Sequence, residues 1–265
     1  MNSRAQIVAT IGPSSEKPEI LPLMIANGMD VARLNFAWLD RAGGERLIDL
    51  VRSAAKECGR VIPIIADLPG PRMQLAHGHT YDATQPFSIT QEGREALSLC
   101  KEKQVEYVAL SFVGTAADVE LCRDAIRDIG GTQKIIAKIE RKVAVDAIDE
   151  IVAAADALMV ARGDLGSEVP LAEIPFIQKM IVAKANAAGK PVIVATQMML
   201  SMTEHTEPTR AEVTDVEAAR MDGADAVMLS EESASGKYPA ETVAMMESVL
   251  LAAEQRLGEK PIFIL

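Results

Sequence analysis

The chain is 265 residues long and carries 38 acidic against 27 basic residues, a formal net charge of −11. That balance, with its basic residues scattered rather than clustered, speaks against nucleic acid or an anionic membrane as partner. One barrel of roughly 250 residues would consume nearly all of it, so a single domain over residues 1–265 is expected.

Short, β-branched apolar runs predict strands at Gln6–Thr10, Val31–Asn35, Pro63–Asp67, Tyr107–Phe112, Ile135–Ile139, Ala157–Ala161, Val192–Thr196 and Ala226–Leu229. Between them, amphipathic patterns predict helices at about Lys17–Ala26, Arg41–Cys58, Glu92–Lys103, Ala116–Asp128, Val143–Ala155, Ile174–Ala188, Arg210–Met221 and Ala240–Gln255, with glycines such as Gly28, Gly59 and Gly223 at their ends. Strict β–α alternation reads as a closed (β/α)₈ barrel, with an open doubly wound sheet as the alternative. One connection differs: residues 68–90, rich in Gly, Pro and His, show no clear periodicity.

Cys58, Cys100 and Cys122 lack CxxC pairing and read as buried small apolar residues. His77, His79 and His205 fall in loop-like stretches; His77 and His79 are of a type able to ligate metal, and exposed loop positions are the expectation for all three. No charged-then-apolar leader follows Met1 and no apolar run is long enough to span a bilayer, so a soluble cytoplasmic protein is expected.

Charge gathers where strands finish. Lys138 and Glu140 close one apolar run, and Arg162 and Asp164 close the next. In parallel α/β folds sites are built in the loops after the carboxyl ends of strands. Two acids and a lysine at adjacent strand ends have the chemistry to hold a divalent metal through Glu140 and Asp164, with Lys138 beside a bound anion; a salt-bridge cluster closing the barrel rim is the competing reading.

The words AKIER, MVARGDLG, GKPVIVATQM and PTRAEVTDV, with IVATIGPSS and DVARLNF nearer the N-terminus, resemble in order and spacing the barrel domain of pyruvate kinase, from about Gln6 to Glu254. The resemblance decides for the barrel. It implies that Lys138 steadies an enolate and a transferring phosphoryl group, that Glu140 and Asp164 bind Mg²⁺ or Mn²⁺, and that Thr196 bounds the methyl side of the substrate. Backbone amides of Gly163 and Asp164 would receive the substrate carboxylate. Arg33 and Asn35 end the second strand; the family uses the arginine as a phosphate contact, and an unpaired arginine at a barrel mouth has an anion to meet. Arg162 would pair with Glu140 and support the site from behind.

Departures from the family pattern are as informative. Residues 68–90 stand where the family inserts a lid domain, and the chain ends at Leu265 where those enzymes continue into a further domain. The monovalent-cation positions read Asn35, Ala37, Asp67 and Leu68, with two hydroxyl ligands gone, so no K⁺ dependence is expected. Gln74 stands for an arginine, with Arg72 as the substitute cation. Glu231 stands where the family has glycine, adding a carboxylate that would repel phosphate or serve as an extra acid or base.

The resulting expectation is a divalent-metal-dependent, pyruvate kinase-like enzyme acting on phosphoenolpyruvate, pyruvate or a related 2-oxo acid through a metal-stabilised enolate. Phosphorylation of ADP is the step these departures weaken most. A 2-oxo-acid aldolase or oxaloacetate decarboxylase, a true pyruvate kinase in a minimal barrel, and a non-catalytic metabolite-binding barrel are the alternatives. Assembly into a homo-oligomer is expected through exposed helix faces such as the Met245–Met246–Val249 stripe.

Overall fold

The computed structural model describes residues 2–70, 72–74, 79–81, 87–257 and 262–265, with the side chains of 72–74 and 79–81 outside the description. In chain order the first half runs β1 (Gln6–Thr10), α1 (Ile20–Ala26), β2 (Met29–Asn35), α2 (Arg41–Glu57), β3 (Ile64–Asp67), β4 (Arg72–Gln74), β5 (His79–Tyr81), α3 (Gln91–Glu102), β6 (Tyr107–Leu110) and α4 (Ala116–Asp128). There follow β7 (Lys134–Ile139), α5 (Lys142–Asp146), α6 (Ile148–Ala154), β8 (Ala157–Ala161), α7 (Arg162–Glu168), α8 (Ile174–Ala187), β9 (Val192–Ala195), α9 (Arg210–Asp222), β10 (Ala226–Leu229), α10 (Glu231–Ala234) and α11 (Pro239–Leu257).

Eight of the strands pair in parallel, in the order β1-β10-β9-β8-β7-β6-β3-β2, and β2 returns to β1. The sheet is therefore a closed (β/α)₈ barrel, and the open sheet is ruled out. β4 and β5 form a separate antiparallel ribbon inside the stretch expected to be an unpatterned loop. The helix expected over Val143–Ala155 is two, α5 and α6, interrupted at Ala147, whose backbone (φ −97°, ψ 16°) leaves the helical range.

Side chains alternate along each strand, and the two faces bury in different places. Ile7, Leu34, Ile64, Ile135, Leu158 and Val192 point outward into the layer shared with the helices. Val8, Val31, Ile65, Tyr107, Ile136, Met159, Ile193 and Met228 point inward and fill the barrel axis. Helix starts are capped by side chains: Asp40 accepts from Gly43 N at 2.7 Å, Thr90 accepts from Gly93 N at 3.1 Å, and Thr209 and Glu212 form a reciprocal capping box. Gly223 ends α9 with φ 109°, a left-handed turn that a side chain would strain.

Two strands stop earlier than their apolar runs. Phe112 (φ 60°), Thr196 (φ 72°) and Gln197 (φ 56°) adopt left-handed backbone beyond β6 and β9, each at a cost of about 1–3 kcal/mol. Such strain gathers at functional sites, and these three residues stand at the carboxyl-terminal mouth.

The Met245–Met246–Val249 stripe turns inward: Met246 and Val249 are buried in the main core and only Met245 is partly exposed. It therefore offers no surface for assembly. Cys100 and Cys122 are buried, with thiols pushed up to about 12 by burial, Cys58 is half-buried, and all three are free. Among the described residues no helix is long and apolar enough to cross a membrane.

At the amino-terminal end, the chain's last residues close the axis. Phe263 N donates to Asp225 Oδ1 at 2.8 Å, Leu265 N donates to Gln6 Oε1 at 2.9 Å, and the Leu265 side chain joins the axial cluster. Replacing Leu265 with Ala removes the apolar plug and leaves a cavity. The expected loss is roughly 2–3 kcal/mol of unfolding free energy, read by urea denaturation.

Candidate active site

The strand pleat that buries Val31, Ile65 and Ile136 along the axis dictates what comes two residues later on the same face: Arg33, Asp67 and Lys138. All three are buried, in the last layer before the mouth. Arg33 grips Asp67 Oδ2 with Nε at 2.8 Å and Nη2 at 2.7 Å. Lys138 Nζ lies 3.2 Å from Asp67 Oδ1 and donates to Ser111 Oγ at 2.8 Å, while Ser111 donates to Asp67 Oδ1 at 3.1 Å. Thr10 Oγ1 accepts from Arg33 Nη1 at 2.9 Å.

Burial alone would favour the neutral forms, but the charges in the cluster outweigh it. Against its own desolvation, Lys138 is held above the usual lysine range by Asp67 and Glu140. Asp67, despite complete burial, is held below the usual carboxylate range by Lys138 and Arg33. Both therefore stay ionised near neutral pH. Glu140 moves the other way: burial raises it, and the neighbouring Asp164 charge adds to the rise against the opposing pull of Lys138.

Glu140 is also asymmetrically bound. Its Oε1 accepts from Phe112 N at 2.6 Å. Its Oε2 is fully buried, makes no hydrogen bond, and has only an ion-pair contact with Lys138 Nζ at 3.3 Å. A buried carboxylate oxygen left in this condition is costly unless something binds it. Asp164, in the first turn of α7, lines the same cavity. No cluster of three or more His, Cys, Asp or Glu suited to a metal occurs among the described residues. Two carboxylates nevertheless fit Mg²⁺ or Mn²⁺, hard ions that commonly take one or two carboxylates and fill their remaining positions with substrate oxygens and water.

Several sequence expectations change at this point. Arg33 is not an unpaired cation but Asp67's partner. Arg162 pairs with Asp215 Oδ1 at 2.6 Å and donates to Ala195 O at 3.2 Å and Thr196 O at 2.7 Å; Glu140 is not among these partners. It supports the end of β9 instead. The Gly163 amide donates to Thr196 Oγ1 at 2.8 Å, and the Thr196 hydroxyl donates to Ala195 O at 2.5 Å. Gly163 N–H is thus engaged with the end of β9 and the Thr196 proton with the carbonyl of the residue before it, and neither is held ready for a ligand. Asn35 Oδ1 accepts from Ala37 N at 3.2 Å, and Leu68 is buried.

Glu231 is exposed and lines the cavity together with Ser230 and Ser235. His205 is exposed, as expected. The side chains of Arg72, Gln74 and His79, and the whole of His77, lie outside the described residues. Sequence reading overlooked Ser111, Thr10 and Phe112. Ser111 and Phe112 follow the apolar run of β6 just as Lys138 and Glu140 close β7, so a polar residue at the inward phase of a strand end was the available signal.

A cavity of about 570 Å³ opens over this cluster, lined by Thr10, Arg33, Asp67, Ser111, Lys138, Glu140, Asp164 and Thr196 together with Leu39 and the exposed Trp38 and Glu231. A closed parallel barrel with a buried, ionised aspartate, a second buried carboxyl group and a lysine at its carboxyl-terminal mouth defines a (β/α)₈ barrel enzyme.

Comparison with known proteins sharpens that class. The family model "Pyruvate kinase, barrel domain" matches residues 2–99 and 83–243. The pyruvate kinase of Mycobacterium intracellulare is 35% identical over 98% of this chain and 72% of its own length. That of Thermococcus litoralis is 33% identical over 95% of this chain and 70% of its own, and that of Sporosarcina psychrophila 34% over 98% and 58%. The chain belongs to the pyruvate kinase family and is a pyruvate kinase-like enzyme. The first of these alignments is 341 positions long against 265 residues here, so that relative carries residues within the matched region that this chain lacks.

Asp67 neutralises two buried cations, and Asp67→Asn leaves both with a weaker partner. An expected loss of roughly 3–5 kcal/mol at neutral pH follows for a fully buried network. In the parent chain Asp67 takes up its proton more readily when unfolded than when folded. Its contribution is therefore complete above the ordinary aspartate value of about 3.9 and is lost as the pH falls toward the lower folded value. Urea unfolding at neutral pH and at about pH 3, inside that window, should show Asp67→Asn less stable at neutrality and less sensitive to acid than the parent.

Proposed function

We propose that the enzyme acts on phosphoenolpyruvate, pyruvate or a related 2-oxo acid through an enolate, in dependence on a divalent metal held by Glu140 and Asp164. The observation that carries this reading is Glu140 Oε2, buried without a hydrogen bond between Lys138 and the neighbouring charge of Asp164. When bound, Mg²⁺ or Mn²⁺ supplies Lewis acidity to a chelated carboxylate and carbonyl.

The chain's own residues do the rest. A methyl proton of the bound oxo acid leaves to solvent, its C–H electron pair becomes the C2–C3 double bond, and negative charge collects on the carbonyl oxygen. Lys138, held as an ammonium by Asp67, stands beside that oxygen and stabilises the charge as it develops. Arg33 spends Nε and one N–H on each Nη group on Asp67 and Thr10. One N–H remains on each Nη for a phosphoryl oxygen. Glu231 serves as the extra acid or base at the rim.

Charge in the cavity favours the oxo acid over a polyphosphate. The lining cations among the described residues are Arg33, Arg46 and Lys138. Arg33 is paired with Asp67, Lys138 with Asp67 and Glu140, and Arg46 with Glu16 at 2.8 Å. Transfer of a phosphoryl group to ADP remains the second reading, supported by the relatives, which are named pyruvate kinase. We keep a homo-oligomer within the proposal, now supported by the exposed Leu171, just before α8, and Phe176, in its first turn, rather than by α11.

Incubation with pyruvate and Mg²⁺ in D₂O is expected to exchange the methyl protons, read by NMR, and Lys138→Met is expected to slow exchange by about 10²–10³-fold while pyruvate still binds. Binding of pyruvate without any enzyme-dependent exchange would overturn the enolate reading and favour a metabolite-binding barrel. K⁺ is expected to give no stimulation over tetramethylammonium at equal ionic strength, since both Asp67 oxygens are already engaged and Ala37 and Leu68 offer no side-chain oxygen.

A further inference from the structure

Phe112 is held in an unusual conformation at the mouth. Its left-handed backbone, φ 60°, is rarely adopted by a bulky residue and persists only where the surroundings over-determine it. Three contacts do so. The turn takes Phe112 N–H out of the β6 ladder and gives it to Glu140 Oε1 at 2.6 Å. Phe112 O accepts from Arg141 Nη1 at 3.4 Å. The buried ring lies against Gly70, so close that a Cβ on that glycine would stand 2.2 Å from Phe112 Cδ2 and 2.7 Å from Cε2.

These contacts form one chain of constraint. Gly70, at the start of the connection after β3, sets where the ring can lie; the ring sets the turn; the turn sets the N–H that holds one oxygen of Glu140. With Oε1 fixed in this way, Oε2 is left beside Lys138 without a hydrogen bond. We propose that Phe112 is a positioning residue for the metal-binding carboxylate, acting through its left-handed backbone and dependent on the absence of a side chain at residue 70. The inference rests on the metal reading given above. Groups that orient a metal ligand from behind commonly change metal affinity by 10–100-fold when lost, without touching the ion.

Mn²⁺ affinity, measured by calorimetry alongside thermal unfolding, tests it in four chains: the parent, Gly70→Ala, Phe112→Gly and the double variant. Gly70→Ala drives the ring and its turn away and is expected to weaken Mn²⁺ binding by about tenfold or more. Phe112→Gly removes the ring that holds the turn and is likewise expected to weaken Mn²⁺ binding by about tenfold. In the double variant the new methyl group meets no ring, only Ser111 Cβ at 3.1 Å, so affinity should fall little below that of Phe112→Gly alone. Unchanged Mn²⁺ affinity in either single variant, or losses that simply add in the double variant, would overturn the proposal while leaving the metal reading intact. No Mn²⁺ binding by the parent would overturn the metal reading itself and this inference with it.

Discussion

Everything at the barrel mouth depends on how Asp67 is neutralised. A carboxylate this deeply buried needs partners to stay ionised, and it has two, Arg33 from β2 and Lys138 from β7, with Ser111 bridging from beyond β6. Four strands are thereby tied together at one level of the axis. Lys138 in turn is held charged and is shared with Glu140, the carboxylate whose second oxygen lacks a hydrogen bond. The pairing that keeps the lysine an ammonium also keeps it from fully satisfying the glutamate. That imbalance is what the proposed divalent metal would answer.

The second constraint is where the strands stop. Parallel pairing carries β6 and β9 only as far as Leu110 and Ala195, and the chain then turns left-handed. At β9 the turn lets Thr196 and Gly163 lock two strand ends together while Arg162 binds the freed carbonyls. At β6 it delivers a backbone N–H to Glu140. Local conformational energy is spent so that the chain can offer backbone groups to side chains, and the rigid barrel beneath holds those turns in place.

Family membership and the chain's own electrostatics bear on different parts of the cavity. The floor carries the lysine and two acids expected of a pyruvate kinase-like barrel. Toward the rim, the described cations are already paired, and Glu231 adds a carboxylate. Chemistry that needs only an oxo acid and a metal draws on the floor alone. A triphosphate-forming reaction needs positive charge further out, and that requirement separates the two functional readings.

The eight apolar runs were enough to read the strands, the (β/α)₈ alternation and the strand-end location of Lys138, Glu140 and Asp164, because parallel strands buried on both faces must be apolar and charge can enter only where they end. Helix ends at Gly28, Gly59 and Gly223 were legible for a similarly local reason. Partners were not. Whether Arg33 meets a ligand or Asp67, and whether Arg162 meets Glu140 or Asp215, depends on strand register and side-chain reach between segments far apart in sequence. The inward turn of Met246 and the insertion of Leu265 into the axis likewise follow from packing angles that no local pattern encodes. Sequence by itself determined which residues stand at the mouth, since a two-residue pleat and apolar burial are local rules; only the closed barrel decided which of them neutralise one another, since that is settled by distance in space.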